Sequence, residues 1–134
     1  MSDPLQIKRL LRRPQFLAAA KGVSEARGAV VIQRLERGDG SSHIGLGFTA
    51  TRKVGGAVVR NRAKRRLREA ARAMLAAHGV PGSDYVFIAR MGTTERAWDR
   101  LLDDVKTTLT RLATPKADRP SNARAPSGQD RQNP

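Results

Sequence analysis

The 134-residue sequence predicts one mixed α/β domain with the element order α-β-β-α-β-α. Three observations carry this prediction. Ile44, Leu46, Phe48 and Ala50 alternate with small or polar residues, the two-residue period of a half-buried strand. Val59, Ala63, Leu67, Ala70 and Met74 recur at helical spacing within Ala57–Ala77. Trp98, Leu101, Leu102, Val105, Leu109 and Leu112 do the same within Thr94–Ala113.

The elements follow in order. Pro14 suits the first turn of a helix and Gly22 its end, which predicts a short helix over Pro14–Lys21. Gly28–Glu36 contains a β-branched run and reads as a strand. Arg37–Ser42, with Gly38-Asp39-Gly40, is a hairpin-type loop. His43–Thr51 is the alternating strand, and one of these strand runs is open to division into two. Gly55 and Gly56 interrupt the pattern before the helix Ala57–Ala77, and His78–Ser83 is a stop and turn. Asp84–Arg90 is a short strand, and Thr94–Ala113 closes the domain as an amphipathic helix. Residues 1–113 therefore read as a single domain whose body, Leu5–Ala113, is long enough for one core. Thr114–Pro134 holds four of the seven prolines, four basic and two acidic residues and few large apolar ones, so it reads as a disordered, Pro-rich basic tail.

Charge sets the class of partner. The chain carries 26 Lys+Arg, 20 of them Arg, against 12 Asp+Glu, a formal net charge of +14. Such an imbalance repels itself and points to nucleic acid or an anionic membrane surface. Absent cysteines exclude a disulfide framework and thiolate chemistry. The apolar runs, such as Ala29–Ile32 and Ala73–Ala77, are too short to cross a bilayer, and Met1–Arg13 lacks the apolar core of a signal peptide. A cytoplasmic protein is expected. Aromatic residues are few (Phe16, Phe48, Tyr85, Phe87 and Trp98), so phosphate contacts must carry much of any RNA affinity.

Arg52–Arg72 concentrates the charge. It holds nine basic residues and a single acid, Glu69. On a helical wheel Asn61, Arg65, Arg68 and Arg72 lie opposite the apolar stripe; Arg60 and Lys64 form one flank, Arg62 and Arg66 the other. Arg60–Lys64, Arg62–Arg66, Lys64–Arg68 and Arg68–Arg72 are like-charge i,i+4 pairs, each destabilising an isolated helix by about 0.2–0.5 kcal/mol. Thr94–Ala113 is the internal control, with four acids balancing four bases. One helix of the chain thus has an ordinary solvated face and the other accepts repulsion, which favours a polyanion partner. Arg dominance suits forked phosphate contacts and planar stacking. A membrane-surface helix would need bulkier apolar residues than Val, Ala, Leu, Ala and Met.

At this stretch the sequence resembles the protein subunit of bacterial ribonuclease P. The resemblance rests on Gly47-Phe48-Thr49, the basic pair Arg52-Lys53, the Gly55 turn and the helix opening Arg60-Asn61-Arg62-Ala63-Lys64-Arg65-Arg66, and extends from the Phe16 helix to the last helix. It implies a two-layer α/β (α+β) sandwich, α-β-β-β-α-β-α, with a central mixed sheet. It also implies a left-handed strand–helix–strand crossover, against the general right-handed rule. The implied activity is endonucleolytic removal of the 5′ leader from precursor tRNA, catalysed by a partner RNA with Mg²⁺ held through that RNA. One copy of the protein would assist each RNA, with no catalytic residue or metal site of its own and no DNA or membrane partner. Carried over by position, Arg52, Lys53, Arg60, Asn61, Arg62, Lys64, Arg65 and Arg68 would contact the catalytic RNA, and Arg66 and Arg72 extend that basic surface. Phe16 would line the leader cleft between the first helix and the sheet; read from its position alone, it serves equally as a core residue. The chain departs from the family pattern at Ala20 and Gln33, where aromatics can stand, and at Gly56, where Asn is usual.

No protein active site is legible. His43 and His78 stand at a strand start and a helix end, and the adjacent Asp103 and Asp104 point about 100° apart on a helix. The alternative to a ribonucleoprotein endonuclease subunit is a structural RNA-binding protein such as a ribosomal component.

Overall fold

In the computed structural model, which describes residues 6–114, five strands form one mixed sheet. They are β1 (Ile7–Arg9), β2 (Val23–Arg27), β3 (Val30–Glu36), β4 (Ile44–Thr49) and β5 (Ser83–Ala89), in the spatial order β1-β4-β5-β3-β2. β1 and β5 run parallel to β4, while β3 is antiparallel to β5 and to β2. The helices are α1 (Arg13–Ala20), α2 (Ala57–His78) and α3 (Trp98–Ala113). The expected sandwich of helices on a mixed sheet is present. From position 115 onward the expected tail lies outside the described residues.

β5 is central because its sequence is apolar on both faces. Tyr85, Phe87 and Ala89 join Ile32, Ile44 and the stripes of α2 and α3 in the main core. Val86 turns to the other face, where Leu10, Ala19 and the half-buried Phe16 cover it. α2 and α3 thus pack on one face and α1 on the other. The buried stripe of α2 is Ala63, Leu67, Ala70, Ala71 and Leu75, with the expected Val59 and Met74 only half-buried at its margins. The expected alternation of Ile44, Leu46 and Phe48 toward the main core holds.

Two strands were not legible as elements. β1 is three residues long and wholly exposed, too short to show a period. β2 is an edge strand with no buried residue, so selection for burial leaves no pattern in it. It pairs with β3 through a tight turn at Gly28-Ala29, where Gly28 has φ +54, so the expected strand Gly28–Glu36 begins only at Val30.

The last helix also starts later than its apolar stripe suggests, at Trp98 instead of Thr94. The Thr93 hydroxyl accepts the Arg90 N–H and has the Ala29 and Arg90 carbonyls within reach of its single proton, which fixes a turn there. Trp98 is 41% exposed, a surface residue beneath Arg66 and no member of the core.

Two ion pairs, each with a buried carboxylate, fix the ends of the sheet. Asp104 is 1% exposed and accepts from the Ala29 N–H (3.1 Å) and from Nε and Nη2 of Arg96 (3.0 and 3.1 Å). That contact holds the Arg96 guanidinium pKa above its ordinary value. A Cβ at Gly28 would overlap the Asp104 carboxylate, so glycine is required there twice over. At the other end Arg37 donates to Asp84 (2.7 Å), Asp39 (2.9 Å) and the His43 carbonyl (2.6 Å), closing the β3–β4 loop. His43 lies before β4 and bonds Ser41 Oγ through Nδ1 at 2.7 Å. It is part of that loop's hydrogen bonding.

Candidate nucleic-acid interface

The basic helix is launched by a short 3-10 turn, Arg52–Val54, followed by Gly55 at φ 147. Gly55 has to be small: a Cβ there would lie 2.9 Å from the Cβ of Val59. Gly56 is the N-cap and supplies no side-chain bond. Burying the alanine-rich stripe against the sheet turns the remaining faces of α2 outward. Arg52, Lys53, Asn61, Arg62, Arg65, Arg68 and Arg72 are exposed, and Arg60, Lys64 and Arg66 half-buried.

This surface has almost no acid in it. Elsewhere several arginines have an acid beside them: Arg27 pairs with Asp103, Arg37 with Asp84, Arg96 with Asp104 and Arg111 with Glu25. On α2, Arg72 pairs with Glu69 at 3.3 Å. Among the described residues, Arg52, Lys53, Arg60, Arg62, Lys64, Arg65, Arg66 and Arg68 make no ion pair. Eight cations without counter-charges along α2 and the turn before it form a positive field suited to a phosphate backbone.

Arg66 differs from its neighbours. Its Nη1 donates to the Thr93 carbonyl at 2.6 Å, and its Cζ stands 5.7 Å from the Trp98 ring centroid. It ties α2 to the start of α3, a structural use that the wheel alone does not reveal.

On the opposite flank of α2 a cleft of about 350 Å³ opens at the β4 edge of the sheet. It exists because β1 stops after pairing with Leu46 and the chain turns into α1, leaving Gly47–Thr49 uncovered on that side. Gln15 steadies this turn by accepting the N–H groups of Leu11 (2.8 Å) and Arg12 (2.9 Å). Phe16 reaches from α1 over Gly47, where a Cβ would stand 2.5 Å from its ring. Lys64 and Arg68 enter from α2, and Arg9 and Ile7 line the β1 end. The structure therefore brings Phe16, Lys64 and Arg68 together. Of the two positions where aromatics were expected to be missing, Ala20 is exposed on α1 and Gln33 is half-buried on β3.

Sequence reasoning missed Phe48 and Arg9 as lining residues. Phe48 was legible only as one step of a core alternation. Its position at an open strand edge depends on where β1 ends, which no local pattern announces. Among the described residues no group of three or more His, Asp or Glu is placed to hold a metal ion, and no helix is long and apolar enough to cross a membrane.

The family model described as Ribonuclease P matches residues 6–113, which is most of the chain. The chain belongs to the ribonuclease P protein family. It is 61% identical over 109 residues to the ribonuclease P protein component of Caulobacter vibrioides, covering 81% of this chain and 73% of that relative. It is 48% identical to the component from Ruegeria pomeroyi, covering 80% of this chain and 87% of that one. Among solved structures, the RNase P protein from Thermotoga maritima superposes with a TM-score of 0.65 at 27% identity, over 78% of this chain and 96% of that one. The Staphylococcus aureus RNase P protein gives 0.64 at 25% identity, over 78% and 94%. Family membership accounts for the expected fold.

Proposed function

We propose that this chain is the protein component of a ribonuclease P ribonucleoprotein acting in the cytoplasm, an accessory to RNA-catalysed removal of the 5′ leader from precursor tRNA. The cation-rich ridge of α2 holds the catalytic RNA, one protein per RNA, through forked guanidinium contacts to phosphates. The cleft takes the single-stranded leader, with Lys64 and Arg68 on its phosphates and Phe16 against a base. One observation carries this reading: residues from two helices far apart in sequence, Phe16 and the pair Lys64 and Arg68, line one open cleft beside the cationic ridge.

The lining of that cleft includes cations and no carboxylate, so it does not suit a protein-held Mg²⁺. In this reading any Mg²⁺ would be held by RNA, where it would assist phosphodiester hydrolysis as a Lewis acid. The protein's own part is to bind, to align the leader and to screen repulsion between two RNAs.

The reading predicts that the complex of this chain with its catalytic RNA binds precursor tRNA more tightly than mature tRNA. Phe16→Ala should weaken precursor binding by about tenfold, the scale of one lost base stack, and mature tRNA binding much less. Equilibrium binding of both tRNA forms checks this. Equal losses would assign Phe16 to the core alone. A purely structural RNA-binding protein would not discriminate between the two tRNA forms in any variant.

A further inference from the structure

The cleft has a second aromatic residue, and its surroundings set it up to do more than pack. Gly47 faces α1 and Phe16, whereas Phe48, the next residue, faces α2. Both phenylalanines line the same cleft, one from each side of the β4 edge. The third phenylalanine of the chain, Phe87, backs Phe48 at 5.6 Å between centroids with the rings tilted by 53°, which fixes the Phe48 ring. Above that ring, 5.6 Å from its centroid, stands the guanidinium carbon of Arg68. Arg68 itself makes no ion pair among the described residues.

The backbone at this point is also open. Ile44 N donates to the Gln6 carbonyl, and the Leu46 carbonyl accepts from Leu10 N, so alternate residues of β4 aim their polar backbone groups at β1. Phe48 is next in that series, and β1 has already ended. Its N–H and C=O therefore face the cleft side of the edge, a donor and an acceptor beside the cation and the ring it covers.

We propose that Phe48 and Arg68 form a second nucleobase-stacking platform for single-stranded RNA, on the α2 side of the cleft. This rests on the reading of the cleft as the leader site. A base laid on the guanidinium plane gains stacking and cation–π attraction while its phosphate meets the same positive wall. Stacking tolerates any base, and the open Phe48 N–H and C=O offer hydrogen bonds to a base edge. The platform lets a chain with few aromatic residues hold more than one leader base.

The test uses the complex reconstituted with its catalytic RNA, comparing precursor tRNA bearing a short leader with leaderless tRNA. Leaders carrying 2-aminopurine at successive positions report stacking through quenched emission. Phe48→Leu keeps the core apolar and removes the ring; Arg68→Lys keeps the charge and removes the plane. Each variant should lower the ratio of leader-bearing to leaderless affinity by about five- to tenfold. Each should also restore emission at one leader position, a position distinct from the one restored by Phe16→Ala. Variants that retain both the wild-type ratio and the quenching would overturn the platform while leaving the leader cleft intact. A wild-type complex with no preference for the leader would overturn the cleft reading, and the platform with it. Arg68 is exposed, so Arg68→Lys decides the matter if Phe48→Leu fails to fold.

Discussion

Asp104→Ala lowers the stability of the RNA-free protein by about 3 kcal/mol, the scale of leaving a buried backbone N–H without its acceptor while charge-assisted hydrogen bonds are lost. In a domain of this size that corresponds to a fall of more than about 10 °C in melting temperature. The cost arises on three sides at once. The buried Ala29 N–H loses its acceptor, Arg96 loses both of its hydrogen bonds, and the turn that joins β2 to β3 loses the carboxylate it folds against. Asp104→Asn isolates the charge: it keeps an acceptor for Ala29 and should cost clearly less. Thermal melts of the two variants against wild type check this. Equal small losses would mean that Arg96 and Ala29 are resolvated without penalty.

Arg60→Ala with Arg62→Ala has its large effect on RNA instead. Six phosphate contacts predict that binding to the catalytic RNA weakens by roughly 10³-fold between 50 and 200 mM salt. Removing two cations should reduce the slope of log affinity against log salt by about two and weaken binding at every salt concentration. The RNA-free fold should be unaffected, because Arg62 is exposed, Arg60 half-buried, and neither lies on the Ala63-Leu67-Ala70-Ala71-Leu75 stripe. Binding isotherms across salt, paired with melts, check both halves. A large drop in melting temperature without RNA would show that these arginines serve the fold.

Asp104 and Arg62 also mark the limits of what the residues alone disclose. The cationic ridge was legible because like charges at i,i+4 spacing oppose helix formation and need a partner to justify them. The main core was legible for a similar reason: β4, β5, α2 and α3 each bury one periodic face, and burial imposes the period. Asp104 also lies on the α3 stripe, three residues after Leu101 and four before Thr108, yet it read as one of four balancing acids. Its burial depends on Ala29 and Arg96, which meet it only in three dimensions. β1 and β2 were hidden because exposed edge strands bury nothing. The cleft was beyond local reading altogether. It is the gap left where a three-residue strand stops beside a six-residue one, and its lining comes from four separate elements. The family resemblance supplied Phe16 for that site. It did not supply Phe48, because the pairing of that ring with Arg68 is a property of this chain's packing.

In the proposed role this chain makes an RNA catalyst effective on precursor tRNA. Cleavage of precursor tRNA by the catalytic RNA, measured with and without the protein at near-physiological Mg²⁺, tests it most directly. Strong stimulation by the wild-type chain, much reduced for the Arg60 and Arg62 double variant, is the predicted result. Precursor cleavage that proceeds equally with and without the protein would overturn that role.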